Sequence, residues 1–295
     1  CGVTEVLEGV DPAQVMPHIS LATRLFRWLA ITRAPFLTAM IVLVLIGAAW
    51  VATQGAPFAW GRFVLALLGG ILLHIAANTF NDYFDWASGA DPINNNYFLP
   101  YTGGSRSIEL GLIGEETLRR LACGALGGSA LIGLLLATLS GPGILLFGLV
   151  GALSAYFYTA PPLRLAARRG LGELLVGLNF GPLATAGTVY ALTGRVAAAD
   201  FLIGVPIGLL IIAVLWINQF PDEASDRAAG KYNLVVVFGK ERARWGYLLL
   251  LAGAFGLTLY WTASGVFPVG TALILGGLPL AVQAVRITLR HYADR

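Results

Sequence analysis

The chain has 295 residues, of which 57% are hydrophobic and only 12% charged, with a mean hydropathy of +0.75 and a formal net charge of +3. A water-soluble domain carries about 25% charged residues, so half the polar surface that water would demand is missing and lipid is the main solvent. The small positive excess calls for no nucleic-acid partner, because basic residues beside anionic headgroups account for it. Cys1 and Cys123 lie far apart and support neither a disulfide framework nor a thiolate metal site.

In chain order, residues 1–23 are polar and contain proline, which predicts an arm at the membrane surface, followed by a transmembrane domain over 24–295. Residue 1 is Cys rather than Met, so the chain as written is expected to be trimmed, processed or a fragment. Crossing the hydrocarbon layer takes roughly 20 apolar residues in a helix. Eight stretches qualify: 33–53, 62–82, 118–138, 143–159, 171–192, 200–219, 244–263 and 266–286. With residue 30 on the cytoplasmic side, the external loops carry only Arg62 and Arg195. The other basic residues fall in or beside the N-terminal arm, the loops 83–117, 160–170 and 220–243, and the C-terminal tail. Lys and Arg favour the cytoplasmic side in short loops, so both termini and both acid-rich loops are expected there. Glycine pairs such as Gly69-Gly70, Gly127-Gly128 and Gly276-Gly277 read as close helix packing through small residues. No nucleotide-binding glycine loop follows a strand.

Two helix ends carry the chemistry. The second span runs out through Asn78, Asn81, Asp82 and Asp85 towards Asp91; the sixth runs out through Asn218, Asp222 and Asp226. Both hold Asn-x-Phe-x-Asp, and the two helices are four apart in order, which reads as two pseudo-repeated four-helix halves, each giving one acidic corner. Asn78 and Asp82 are spaced i,i+4, Asp82 and Asp85 i,i+3, and Asp222 and Asp226 i,i+4, so each set shares a face if its helix continues that far. Like carboxylates roughly 4 Å apart, at an effective dielectric of about 20, repel by about 4 kcal/mol. Such a cluster stays ionised only beside cations.

Mg²⁺ is the natural candidate, since it prefers oxygen ligands and binds through one or two carboxylates together with substrate phosphate. Two facing corners could then grip one diphosphate. Arg106 and Lys231 share their loops with the acidic motifs, and Arg164 lies on the same side; all three are candidate diphosphate donors. Tyr156, Tyr158 and Trp216 are candidates for facing an allylic cation. His18, His74 and His291 are scattered, which speaks against a zinc set, and His74 reads as a packed helix residue.

On Asn81-Asp82-x-x-Asp85 with a further Asp91, and on Asp222-x-x-x-Asp226 followed by Lys231, the sequence resembles the UbiA superfamily of intramembrane aromatic prenyltransferases. The stretches Tyr158 to Gly172 and Gly181 to Tyr190 are also similar, and the likeness runs from about residue 24 to 290. Family members often place the third aspartate four residues after the second, where this chain has Gly89. Asp91, at six, looks more like the 1,4-dihydroxy-2-naphthoate branch of menaquinone synthesis. The resemblance implies an all-α bundle of eight or nine transmembrane helices, with a central cavity open to the cytoplasmic side of the cell inner membrane. It further implies transfer of a polyprenyl group from its diphosphate to an aromatic ring. By motif, Asp82, Asp85, Asp91, Asp222 and Asp226 would hold Mg²⁺ and diphosphate, with Asn78, Asn81, Arg106, Tyr158, Arg164, Asn218 and Lys231 supporting the substrate. The residues do not separate dihydroxynaphthoate from 4-hydroxybenzoate, homogentisate or a glycerol-phosphate lipid as acceptor. A transporter is the rival of another class, since intramembrane charges often mark ion paths. The acids here sit at helix ends, with only Glu173 and His74 expected near mid-depth, and the Asp-Gly-x-x-Ala-Arg signature of CDP-alcohol phosphotransferases is absent.

Overall fold

With lipid as solvent, every backbone N–H and C=O must be satisfied within the chain, and a helix does this segment by segment. The computed structural model describes residues 21–55, 57–89 and 104–293. Among them the regular elements are helices, with one isolated bridge between Arg168 and Tyr232. A short helix α1 (Leu21–Ile31) leads into α2 (Ala34–Thr53), α3 (Trp60–Ala87), α4 (Glu115–Ser140) and α5 (Ile144–Phe157). The second half contains α6 (Leu171–Leu178) and α7 (Ala184–Thr193), joined through a π turn, then α8 (Ala198–Leu202) and α9 (Val205–Ala228). A short α10 (Leu234–Phe238), then α11 (Lys240–Ala263) and, after a 3-10 stretch over Val269–Gly277, α12 (Leu278–His291) complete it.

Each of the eight predicted spans has a helical counterpart. Seven stretches among the described residues are long and apolar enough to cross a membrane, while α5 has 14 residues. At about 1.5 Å per residue α5 rises roughly 21 Å, short of a hydrocarbon layer about 30 Å thick. Large apolar side chains point outward along the bundle: Leu131, Leu249 and Leu273 are 69%, 70% and 85% exposed. An apolar belt of this extent is stable only against lipid, and the protein is an integral membrane protein.

Between lipid-facing helices, contact depends on how closely the backbones approach. Gly69, Gly70 and Gly128 meet Ile132, Met40 and Leu72 as expected of packing glycines, whereas Gly127 and Gly276 face open space. The closest approach lies elsewhere. A Cβ on Gly208 of α9 would stand 2.4 Å from the Gly177 carbonyl oxygen of α6, and one on Gly204 would stand 2.4 Å from the Gly181 carbonyl. This backbone-to-backbone seam fixes α9 against the kinked α6–α7 span. The kink falls at Phe180 and Gly181, before Pro182, which has no N–H to continue the helix. Thr185 Oγ1 donates to the Gly181 carbonyl at 2.9 Å, adding a side-chain bond at the kink.

The up-and-down order of the spans brings the C-terminal ends of α3 and α9, the start of α6 and the turn between α1 and α2 to one end. The opposite end is pinned separately: Asp200 of α8 accepts from Trp50 Nε1 of α2 at 2.6 Å and from the Ala197 amide at 2.7 Å.

Leucine at Gly208 is expected to lower stability by about 2 kcal/mol through overpacking. Leucine at Gly133, whose Cβ position has nothing within 4 Å, should be close to neutral. Thermal midpoints of the two variants in the same detergent check this.

Candidate active site

Helix α3 does not stop where its apolar run stops. It continues to Ala87, which places Asn78, Asp82 and Asp85 on one face at the mouth of the bundle. Asn81 Nδ2 donates to Asp85 Oδ2 at 3.2 Å, an i,i+4 contact that supports the last turn. Asp82 is buried. Its Oδ1 pairs with Arg33 Nη2 and also accepts from the Ser105 amide at 3.2 Å. The same Arg33 nitrogen reaches Asn81 Oδ1 at 3.2 Å, and Asn78 Nδ2 donates to the Thr32 carbonyl at 3.2 Å. Arg33 sits in the turn between α1 and α2, at φ 52°. Sequence reasoning missed it: it stands 49 residues before Asp82, and its only signal was a basic residue at the start of a span on the acidic side.

Helix α9 likewise continues past its apolar run to Ala228, carrying Pro221 within it and aligning Asn218, Asp222 and Asp226. Beyond Gly230, at φ 71°, the chain turns back and the Lys231 amide donates to the Asp226 carbonyl at 2.8 Å. Asn233 Nδ2 donates to Asp226 Oδ2 at 2.7 Å. Lys231 Nζ then crosses to Asp85 Oδ1 of α3 at 2.8 Å. Asp226 is also within electrostatic reach of Asp222 and Asp85. The two acidic corners thus share one mouth.

Two clefts open beside it. One is lined by Asp82, Trp86, Arg106, Ser107, Ile108 and Glu109. In it the buried Arg106, at φ 48°, gives its Nη1 to Glu109 Oε2 at 2.7 Å. The other is lined by Asp85, Tyr158, Thr159, Arg164, Ala166, Ala167 and Lys231, so two of the predicted substrate residues, Tyr158 and Arg164, stand with one member of each corner. Asp91 lies outside the described residues.

Three expectations need correction. Glu173 is not at mid-depth: it lies in the first turn of α6, at the acidic end, where its Oε1 accepts from Gln219 Nε2 at 3.2 Å and from the Leu234 amide at 2.8 Å. Trp216 turns away from the mouth into a core cluster with Phe220, Val235 and Ala243, its Nε1 donating to the Ala243 carbonyl at 2.8 Å. Tyr156 packs edge-on against the buried Phe80 and against Phe84, at the edge of the core between α3 and α4. His74 is packed as expected, with its ring 4.6 Å from that of Phe180.

The donor set suits a hard divalent cation. Asp82, Asp85, Asp222 and Asp226 offer carboxylate oxygens, and Asp82 Oδ2 is buried without a hydrogen-bond partner. Among the described residues no three acidic, His or Cys side chains stand close enough to cage a metal alone. Mg²⁺ needs no such cage when substrate phosphate completes its shell.

An all-helical bundle in lipid, with oxygen-rich helix ends and basic side chains converging at one mouth, defines a membrane enzyme built to handle an anionic headgroup on an apolar tail. Residues 40–295 match the model of the UbiA prenyltransferase family, and the chain belongs to that family. It is 28% identical to the 1,4-dihydroxy-2-naphthoate octaprenyltransferase of Bacillus subtilis, over 72% of this chain and 67% of that one. It is 33% identical to the enzyme of the same description from Mycobacterium tuberculosis, over 73% and 69%. Its fold matches a UbiA homolog from Archaeoglobus fulgidus solved with DMAPP and Mg²⁺, with a TM-score of 0.63 over 90% of this chain and 86% of that one, at 19% identity.

Replacing Lys231 by Met leaves the buried Asp85 without its cross-corner partner, and one-sided loss of a buried pair destabilises more than loss of both members. Lys231→Met should therefore lower the metal-free unfolding midpoint. The double variant Asp85→Leu with Lys231→Met should recover most of the loss, as read by thermal unfolding in detergent with EDTA.

Proposed function

We propose that this prenyltransferase moves a polyprenyl group from polyprenyl diphosphate to 1,4-dihydroxy-2-naphthoate in menaquinone biosynthesis. The observation that carries the site assignment is the Lys231–Asp85 pair, which joins the second acidic corner to the first. The naphthoate acceptor is supported by the descriptions shared by the curated relatives. Asp82, Asp85, Asp222 and Asp226 would hold Mg²⁺, with Asp91 as a further ligand from the segment that follows α3. When bound, the metal supplies positive charge against the negative charge that develops on the departing diphosphate.

The side chains divide the remaining work. Arg33 and Lys231 pair with Asp82 and Asp85 and hold them in place while no substrate is present. Lys231, Arg106 and Arg164 are the donors for the diphosphate oxygens, Arg through a planar fork and Lys as a point charge. Asn78, Asn81 and Asn218 line the two corners with amides one helical turn inside the aspartates. Tyr158 lies within electrostatic reach of Asp85, Asp226 and Glu173; its ring offers a π face where the allylic carbon gains positive charge. The electron-rich acceptor carbon then bonds to the allylic carbon as its C–O bond to diphosphate breaks, and the ring carbon sheds the proton or carboxyl group it carried to restore aromaticity; holding both reactants at this mouth supplies much of the acceleration. Each buried CH₂ of the prenyl tail is worth about 0.8 kcal/mol, which favours a site that opens towards lipid. The basic-residue bias supports placing this mouth and both termini in the cytoplasm, with the protein in the cell inner membrane.

Membranes containing the protein are expected to join a labelled polyprenyl diphosphate to dihydroxynaphthoate, to stop with EDTA and to resume with Mg²⁺. Asp82→Ala and Asp222→Ala should each lose at least about a thousandfold in rate, a scale in keeping with removal of a charge-stabilising group. Product mass from a panel that includes 4-hydroxybenzoate and homogentisate checks the acceptor. Full turnover in either Ala variant would refute the assignment.

A further inference from the structure

Glu173 lies outside both acidic motifs, yet it is buried at their mouth and its one bonded oxygen serves two elements at once. Oε1 accepts from Gln219 Nε2, one helical turn before Asp222 on α9, and from the backbone amide of Leu234, the first residue of α10. The segment between these two contacts carries Lys231 and Asn233, whose side chains reach Asp85 and Asp226. The same segment is tied to the α5–α6 linker where the Tyr232 amide donates to the Ala167 carbonyl at 3.2 Å. That linker holds Arg164 in the cleft shared with Lys231. Next to Glu173 in the chain, a Cβ on Gly172 would stand 2.9 Å from the Ala166 Cα, so the start of α6 is pressed against the linker.

We propose that Glu173 is a positioning residue for prenyl-diphosphate binding: by holding the Leu234 amide and Gln219 together, it sets the Lys231–Asn233 segment at the height from which Lys231 meets the first acidic corner. Glu173 acts through the segment and does not itself touch the diphosphate. This rests on the reading of Lys231 as a diphosphate donor. The part Glu173 plays is that of a hydrogen-bond acceptor, which the carbonyl oxygen of Gln reproduces. The Leu234 N–H can be deleted separately: proline is tolerated at the first position of a helix, and Asn233, at ψ 171°, already has the extended geometry that a following proline requires.

The test measures steady-state transfer by the purified full chain in lipid, with donor and acceptor varied separately. Glu173→Ala and Leu234→Pro should each raise the KM for the prenyl diphosphate about tenfold or more while leaving the KM for the aromatic acceptor within about twofold. Glu173→Gln should restore the donor KM. In a Lys231→Ala background, which raises the donor KM by itself, Glu173→Ala should add little, because the residue it positions is gone. Equal losses for donor and acceptor, loss of activity in Glu173→Gln, or full additivity with Lys231→Ala would each overturn the proposal. Should Glu173→Ala fail to fold, the Leu234→Pro and Glu173→Gln pair decides. An unchanged donor KM in Lys231→Ala would instead refute the underlying reading of the site.

Discussion

Carboxylates gathered at a half-buried mouth repel one another, and the geometry of this protein answers that repulsion. Arg33 comes from the turn between α1 and α2 to Asp82, and Lys231 comes from the segment after α9 to Asp85. Neither cation belongs to the helix whose acid it neutralises. Charge balance at the mouth therefore depends on the tertiary arrangement, and anything that moves α9 away from α3 removes Lys231 from Asp85. The low dielectric around buried groups raises the cost of such a separation.

The need for lipid to be met by helices, and for helices to meet through small residues, sets where α9 can stand. Gly204 and Gly208 lie against Gly181 and Gly177 with no space for a side chain. This seam is in the middle and outer part of the bundle, whereas the acids are at the end. The seam fixes the line of α9, and its stiffness carries that line out to Asp222 and Asp226. At the far end, Asp200 anchors α8 to Trp50, so the span that leads to the second corner is held at both depths. The kink at Phe180 and Gly181 lets α6 start at the acidic end and still pass close to α9.

Much of this was legible in the sequence because the solvent is simple. Twenty-residue apolar windows follow from bilayer thickness, and counting them put both acidic motifs at the same end of the bundle, where α3 and α9 both end. The Asp spacings gave the two faces correctly once helix continuation was granted, and α3 and α9 do continue five or more residues past their apolar limits to Ala87 and Ala228. What hydropathy could not show was how the ends fold over one another. Arg33 looked like a topology signal, although it is the partner of Asp82. Glu173 looked like a mid-depth charge because an apolar window was drawn from 171, when that residue is the first of the helix and lies at the interface. Trp216 looked like a mouth residue by its position, and its orientation about the helix axis takes it into the core beside Ala243.

The two acidic corners are alike in motif, and the departures from that likeness explain how they become one site. Each acidic helix packs extensively on the span that follows it, α3 on α4 and α9 on α11, as two copies of one unit would. Lys231 breaks that pattern by leaving its own half to pair with Asp85, while Asn233, two residues on, stays behind with Asp226. A single short segment thus addresses both corners with side chains two residues apart. Its height above the bundle is set from below by Glu173, itself contributed by the helix that opens the second half. Two similar halves alone would give two equivalent carboxylate corners facing each other across a gap. The crossing lysine makes the mouth asymmetric, because the first corner is paired both from its own half by Arg33 and from the other half by Lys231, and an asymmetric mouth can orient a ligand whose two ends differ as much as a diphosphate and a hydrocarbon chain.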